Sequence, residues 1–217
     1  MKKNNQLLEI QKFAKSFHLH DSTGHDWWHI YRVVNMAKKI AASENADTNQ
    51  VEMVALLHDI ADYKMNNGDE TIGFTKITDF LTSIDFSVQE IESIITDIKN
   101  ISYKGGNNEV INQSIESKIV QDADRLDAIG AIGVARTFAY GGSKHRMMYD
   151  PKIHPALHQT VEQYKNSTAP TINHFYEKLL LLKDKMNTTT AKQIAEKRHL
   201  FLEQFLNQFF KEWEGKV

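Results

Sequence analysis

The chain has 217 residues, 41% hydrophobic and 25% charged, a balance that supports an apolar core and excludes disordered, collagen-like and coiled-coil classes. Lys+Arg 26 against Asp+Glu 28 gives a formal charge of -2, which argues against a broad basic surface built to track a nucleic-acid polymer. With no cysteine, disulfide scaffolds, thiolate metal sites and cysteine nucleophiles are excluded, and any metal falls to His, Asp or Glu, with 10 histidines available.

The first stretch, MKKNNQLLEIQKFAKSF, interleaves polar with apolar residues and offers no continuous apolar h-region, so a cytoplasmic location is expected. Its Leu7, Ile10, Phe13, Ala14 and Phe17 recur at helical spacing. Ile30, Val33, Val34, Ala37 and Ile40 form the face of a second helix between Asp26 and Ser43. Asp47 is placed to cap a third through Val51, Val54, Ala55 and Leu57, and to carry it on into His58 and Asp59. A break at Asn66-Asn67-Gly68 precedes a helix from Gly68 to Ser83. Ser87 followed by Glu90 is a capping box opening a helix through Ile91, Ile94, Ile95 and Ile98. After a loop at Gly105-Gly106-Asn107-Asn108, one helix is expected from Ser114 to Tyr140, ending in a mobile loop at Gly141-Gly142-Ser143. Helices from Thr171 to Lys185 and Thr190 to Trp213 complete the series. The densest apolar stretch, Leu179 to Leu182, stops at Lys183 and Asp184, so no bilayer span is expected. Few breakers and no strand-like alternation give a compact all-α fold, expected as a single domain over 1–217 with a motif-bearing core at about 24–146 and C-terminal helices at about 155–213.

The chemistry concentrates where His58 and Asp59 follow the apolar run Val54-Ala55-Leu56-Leu57. A carboxylate beside an imidazole at the end of an apolar face is costly to desolvate unless a cation neutralises it, and a divalent ion uses both side chains as ligands. The alternative for the isolated pair is a solvated helix edge. His29 lies on the preceding helix among Trp27, Trp28, Ile30 and Val33, and Gln121-Asp122-Ala123-Asp124-Arg125-Leu126-Asp127 places three carboxylates at the start of a Gly/Ala-rich stretch. Three helices could thus converge on one ion.

The order His29, then His58-Asp59 within Ala55-Leu56-Leu57-His58-Asp59-Ile60-Ala61-Asp62, then Asp124 resembles the H…HD…D signature of the HD-domain superfamily of metal-dependent phosphohydrolases. The flanking words, Gly24 to Val33 and Asp122 to Gly133, are similar to a small bacterial subgroup that includes a deoxynucleoside triphosphate pyrophosphohydrolase. The resemblance spans roughly 24–146. It implies His29, His58, Asp59 and Asp124 as ligands of one divalent ion, with manganese, cobalt or nickel foremost and magnesium, iron or zinc next. Such an ion would lower the pKa of a water and polarise phosphorus, the two demands of phosphoester hydrolysis.

Asp62, three residues past Asp59 and four past His58, would lie on the His58 side of a continuous helix, either to orient the attacking water or to hold a ligand imidazole; family members often carry the longer Glu there. His25, in the same word as His29, is read as a substrate-facing acid, the alternative being an N-terminal helix residue with no chemistry. Phosphate contacts are sought at Lys104, Arg136, Lys144 and Arg32, with Asp127 as a ribose contact or a support to the ligands; Arg136 needs either a substrate phosphate or a structural carboxylate, and Lys104 alternatively serves the helix dipole. Gly130 and Gly133 read as a close helix-packing surface, and Phe201, Phe205, Phe209, Phe210 and Trp213 as core or as the contact of a homodimer.

The expected activity is hydrolysis of (deoxy)nucleoside triphosphates to monophosphate and pyrophosphate, with a small nucleotide or phosphate compound as partner and neither nucleic-acid polymer nor membrane. Alternatives within the resemblance are a nucleoside monophosphate phosphatase and a guanosine tetraphosphate hydrolase. A cyclic-dinucleotide phosphodiesterase would need an extension that is not evident, and a diiron oxygenase would need further ligands. Outside catalysis stands a nucleotide-sensing module.

Overall fold

Short polar side chains hold the first turns of most helices. In this computed structural model, which describes residues 2–18, 26–62, 66, 68–101, 113–156 and 168–216, α1 spans Lys2–Phe17 and α2 spans Trp27–Glu44. The Asp26 carboxylate caps α2 by accepting from the His29 backbone N–H. Asp47 accepts from Asn49 and Gln50 at the start of α3 (Thr48–Leu57), and Asp69 accepts from Thr71 at the start of α4 (Glu70–Ser83). The expected capping box forms before α5 (Val88–Ile101): Glu90 N–H donates to Ser87 Oγ at 3.3 Å and Ser87 N–H to Glu90 Oε2 at 2.9 Å. Each such cap contributes about 1 kcal/mol, enough to fix where a helix begins. The remaining helices are α6 (Ile115–Asp127), α7 (Gly130–Ser143), α8 (Asn173–Glu177) and α9 (Thr189–Trp213), the last capped by Thr188. Among the described residues there is no strand, so the class is all-α. No helix among them is long and apolar enough to cross a membrane.

The chain divides into two compact units, the division falling within α6 between Ala123 and Asp124. In the first, α2 packs along α3, α3 also meets α1 and α5, and α4 lies against α5. Ile30, Val33, Ala37 and Ile40 of α2 are fully buried, as are Val51, Val54 and Leu57 of α3 and Ile94 and Ile98 of α5. Asp97 of α5 is buried but answered, accepting from Gln50 Nε2 at 3.0 Å and Ser114 Oγ at 2.6 Å. In the second unit α9 packs on α7, and Phe175 is enclosed by Phe138 and Phe205, with ring centroids 6.1 and 5.5 Å away. Of the C-terminal aromatics read as one stripe, Phe205 joins this core and Phe201 and Trp213 are exposed.

Three helix boundaries after Gln113 differ from the pattern reading. The helix expected from Ser114 to Tyr140 is broken at Ala128-Ile129, because Ile129 is extended and Gly130 takes φ +76. Gly130 and Gly133 therefore build a tight break: a Cβ on Gly133 would lie 2.3 Å from the Ala128 carbonyl oxygen, and one on Gly130 would lie 3.0 Å from Arg198 Cγ. Gly130→Ala is expected to cost about 1–2 kcal/mol from the left-handed backbone alone, seen as a lower urea midpoint; an unchanged midpoint would sink this account of the break. Secondly, the Gly141-Gly142-Ser143 stretch is not a loop but the last turn of α7, where the Lys144 and Arg146 backbone N–H groups return to the Gly141 carbonyl. Gly141 is needed there, since a Cβ would meet Thr171 Oγ1 at 2.2 Å. Thirdly, the Thr171–Lys185 helix is confined to α8; Lys178 leaves helical geometry, and 3₁₀ turns at Leu179–Leu181 and Lys183–Lys185 follow. Their three-residue period turns Leu179 and Leu182 inward together.

Candidate metal centre

The centre is assembled from the start of α2 and the end of α3, both in the first unit. Asp26 opens α2 two residues ahead of Trp28, which leaves His29 in the first turn with a fully buried side chain. The end of α3 departs from the sequence reading. The helix stops at Leu57, His58 is its C-cap, and residues 58–61 form a tight turn in which Ile60 N–H donates to the Leu57 carbonyl and Asp62 N–H to the Asp59 carbonyl, each at 3.1 Å. These three-residue bonds replace the four-residue helical ladder, so Asp62 does not stand one α-turn from His58. Asp62 is half-buried beyond the turn.

His58 Nδ1 lies 2.8 Å from the Ala55 carbonyl oxygen. A carbonyl only accepts, so Nδ1 carries the proton and Nε2 presents its lone pair. That Nε2 is buried, has no hydrogen-bond partner among the described residues and lies 3.3 Å from Asp59 Oδ1. On the other side of the same carboxylate, Asp59 Oδ2 lies 3.3 Å from His29 Nε2. The two imidazole rings are 5.7 Å apart, centroid to centroid, inclined by 57°. One ligand atom from each of His29, His58 and Asp59 thus falls within 4.8 Å of the others, and all three side chains are buried. A lone pair turned toward a carboxylate in a dry setting is unfavourable by itself. A cation between them resolves it, and two imidazoles with a carboxylate suit a first-row divalent metal.

The other expected site residues are spread through the chain. Asp124, the remaining expected ligand, is half-buried on α6 and belongs to the second unit. Arg32 is half-buried on α2. His25 and Lys104 lie outside the described residues. Two expected substrate contacts meet each other: Arg136 Nη1 donates to Asp127 Oδ2 at 2.8 Å, and Asp127 is buried. Arg136 thus has a carboxylate partner within the chain. Arg198 adds to this cluster by donating to the Leu126 carbonyl; burial lowers its pKa, and the nearby Asp127 charge opposes that. Lys144 is exposed at the end of α7, its Nζ 5.8 Å from the Tyr140 ring centroid. It stands in a hydrogen-bonded turn rather than a loop.

Pattern reading passed over the residues that support the turn after Asp59. Asn66, read only as part of a helix break, is buried, and its Nδ2 donates to the Ile60 carbonyl at 2.7 Å and the Asp62 carbonyl at 2.9 Å. Gly73 of α4 lies against the same turn, where a Cβ would stand 2.5 Å from Ala61 Cα. Neither has a local signature; an Asn-Asn-Gly break after an HD pair is the nearest hint.

Known proteins resemble the chain over most of its length. A family model described as HD domain matches residues 27–129. The Uncharacterized protein YpgQ of Bacillus subtilis is 36% identical over 216 residues, covering 99% of this chain and 97% of that protein. A crystal structure of YpgQ in complex with ADP superposes with TM-score 0.78 at 35% identity, covering 98% of this chain and 97% of that one. The crystal structure of an HD-superfamily hydrolase from Bacillus thuringiensis gives TM-score 0.77 at 45% identity, with 98% of both chains covered.

Proposed function

Since the chain belongs to the HD-domain family, we propose that it is a metal-dependent phosphohydrolase that converts (deoxy)nucleoside triphosphates to monophosphate and pyrophosphate. The observation that carries the reading is the Asp59 carboxylate held between the His29 and His58 imidazoles, 3.3 Å from each. The ADP bound by YpgQ, a relative at 35% identity, supports a nucleotide as the substrate class.

In this reading His29, His58 and Asp59, joined by Asp124, hold one divalent ion, with manganese, cobalt or nickel preferred. The bound ion would acidify a water and draw charge from a phosphate oxygen. Asp62 accepts the proton of the attacking water, and His25 donates one to the leaving group. Lys104, Arg32 and Lys144 neutralise phosphate charge. The Asp127–Arg136 pair acts as a unit, Asp127 fixing the guanidinium that meets the nucleotide. Attack at the α-phosphorus forms the bond to the water oxygen and breaks the bond to the β-phosphate bridging oxygen, so pyrophosphate departs. A cytoplasmic location and a homodimer through the C-terminal aromatics belong to the same proposal.

The test is a nucleotide panel at neutral pH with manganese, cobalt, nickel, magnesium and zinc, the products resolved chromatographically. Monophosphate and pyrophosphate in equal amounts are expected from triphosphates. Orthophosphate from monophosphates would replace the reading with a phosphatase, and pyrophosphate from guanosine tetraphosphate alone with a hydrolase of that compound. Saturable nucleotide binding without turnover under every metal would leave a sensing module.

A further inference from the structure

The turn that carries Asp59 lies beyond the last α-helical residue, Leu57, and includes the buried residues Ile60 and Ala61. Among the described residues, Ile60 N–H and Asp62 N–H close it through i to i+3 contacts. The backbone on either side of Ala61 is also bonded by one side chain. Asn66 is only 2% exposed, and its single amide nitrogen reaches both the Ile60 and the Asp62 carbonyls. The direction of that amide is set by Lys76, whose Nζ donates to Asn66 Oδ1 at 3.2 Å; the flipped amide would put an oxygen against two carbonyl oxygens and an NH₂ against an ammonium. Lys76 is itself placed over the Phe17 ring, 5.1 Å from its centroid. The close approach is possible because residue 73 is glycine: a Cβ there would lie 2.6 Å from the Ile60 oxygen and 2.8 Å from Asn66 Nδ2.

We propose that Asn66 is a positioning residue of the metal centre, fixing the turn so that the Asp59 carboxylate is held between the two imidazoles. The inference rests on the metal reading above and deepens it. Without the amide, the buried Ile60 carbonyl and the part-buried Asp62 carbonyl lose a donor and the turn can relax, carrying Asp59 with it. Metal sites lose about ten- to a hundredfold in affinity when the groups that orient their ligands are removed, and Asn66 would act on a ligand's backbone in the same way.

The protein, stripped of metal, is titrated with Co²⁺ and read by its visible absorption. Asn66→Ala is expected to weaken Co²⁺ about ten- to a hundredfold and to alter the band shape. Asn66→Ser, which keeps one donor, should fall between it and the parent. Ile77→Val, a core change on α4 that leaves the turn's contacts in place, should keep the parent's affinity and band, separating positioning from general destabilisation. Parental affinity and band in Asn66→Ala overturn the proposal; should that variant fail to fold, Asn66→Ser decides by the same two readouts. A parent that binds no Co²⁺ removes the metal reading and this proposal with it, whereas a parent that binds Co²⁺ but turns over no nucleotide removes only the assigned reaction.

Discussion

Asp59→Ala is expected to release the metal and to lower nucleotide turnover by at least about a thousandfold, the rate equivalent of losing several kcal/mol of charge stabilisation. The carboxylate is the one negative charge in the three-residue cluster, and its two oxygens each lie 3.3 Å from an imidazole nitrogen. Removing it leaves the two imidazole nitrogens of that cluster and takes one carboxylate charge from a divalent ion. Asp59→Asn should behave similarly, since it keeps the shape and loses the charge. Metal content by elemental analysis and product formation by chromatography check the two halves separately. An Asp59→Ala protein with full activity would show that the chemistry resides elsewhere.

The largest effect on stability is expected from Phe175→Ala, a loss of about 3–5 kcal/mol. Phe175 is fully buried, stacked on Phe205 at an interplanar angle of 18° and tilted against Phe138. Truncation removes the apolar burial, the ring contacts and the packing of whatever cannot collapse into the space. Because the affected rings all lie in the second unit, the unfolding monitored by near-ultraviolet circular dichroism should shift to lower urea. A loss below about 1 kcal/mol would mean that the site closes around the deletion.

Much of the fold was legible because the information is local. An aspartate ahead of an apolar periodicity caps its own helix at Asp26 and Asp47, and the Ser87–Glu90 box closes within four residues. The HD pair and His29 were legible as a candidate centre because a cation is one way to offset a carboxylate and imidazole beside an apolar run, and the family resemblance joined them across the intervening residues. The breaks were not legible in the same way. A periodic apolar pattern continues through Ala128 and Ile129, and the helix stops there because Gly130 turns left-handed beneath Arg198, a residue of α9. The Gly141-Gly142 pair carries the composition of a loop, yet Gly141 serves to admit Thr171. Arg136 had two chemically equal partners in prospect, and the 2.8 Å contact with Asp127 supplies one of them.

The amino-acid sequence by itself determined the all-α class and most helix starts, since caps and periodicity act over a few residues, and its donor chemistry marked out three side chains that cluster and could hold a metal. Tertiary structure alone decided where α3 ends, how the Asp59 carboxylate faces both imidazoles, and that Asn66 and Gly73 secure its turn. Those outcomes depend on distances between atoms far apart along the chain. Hydrogen bonds of about 3 Å and contacts that exclude a single Cβ have no periodicity to announce them.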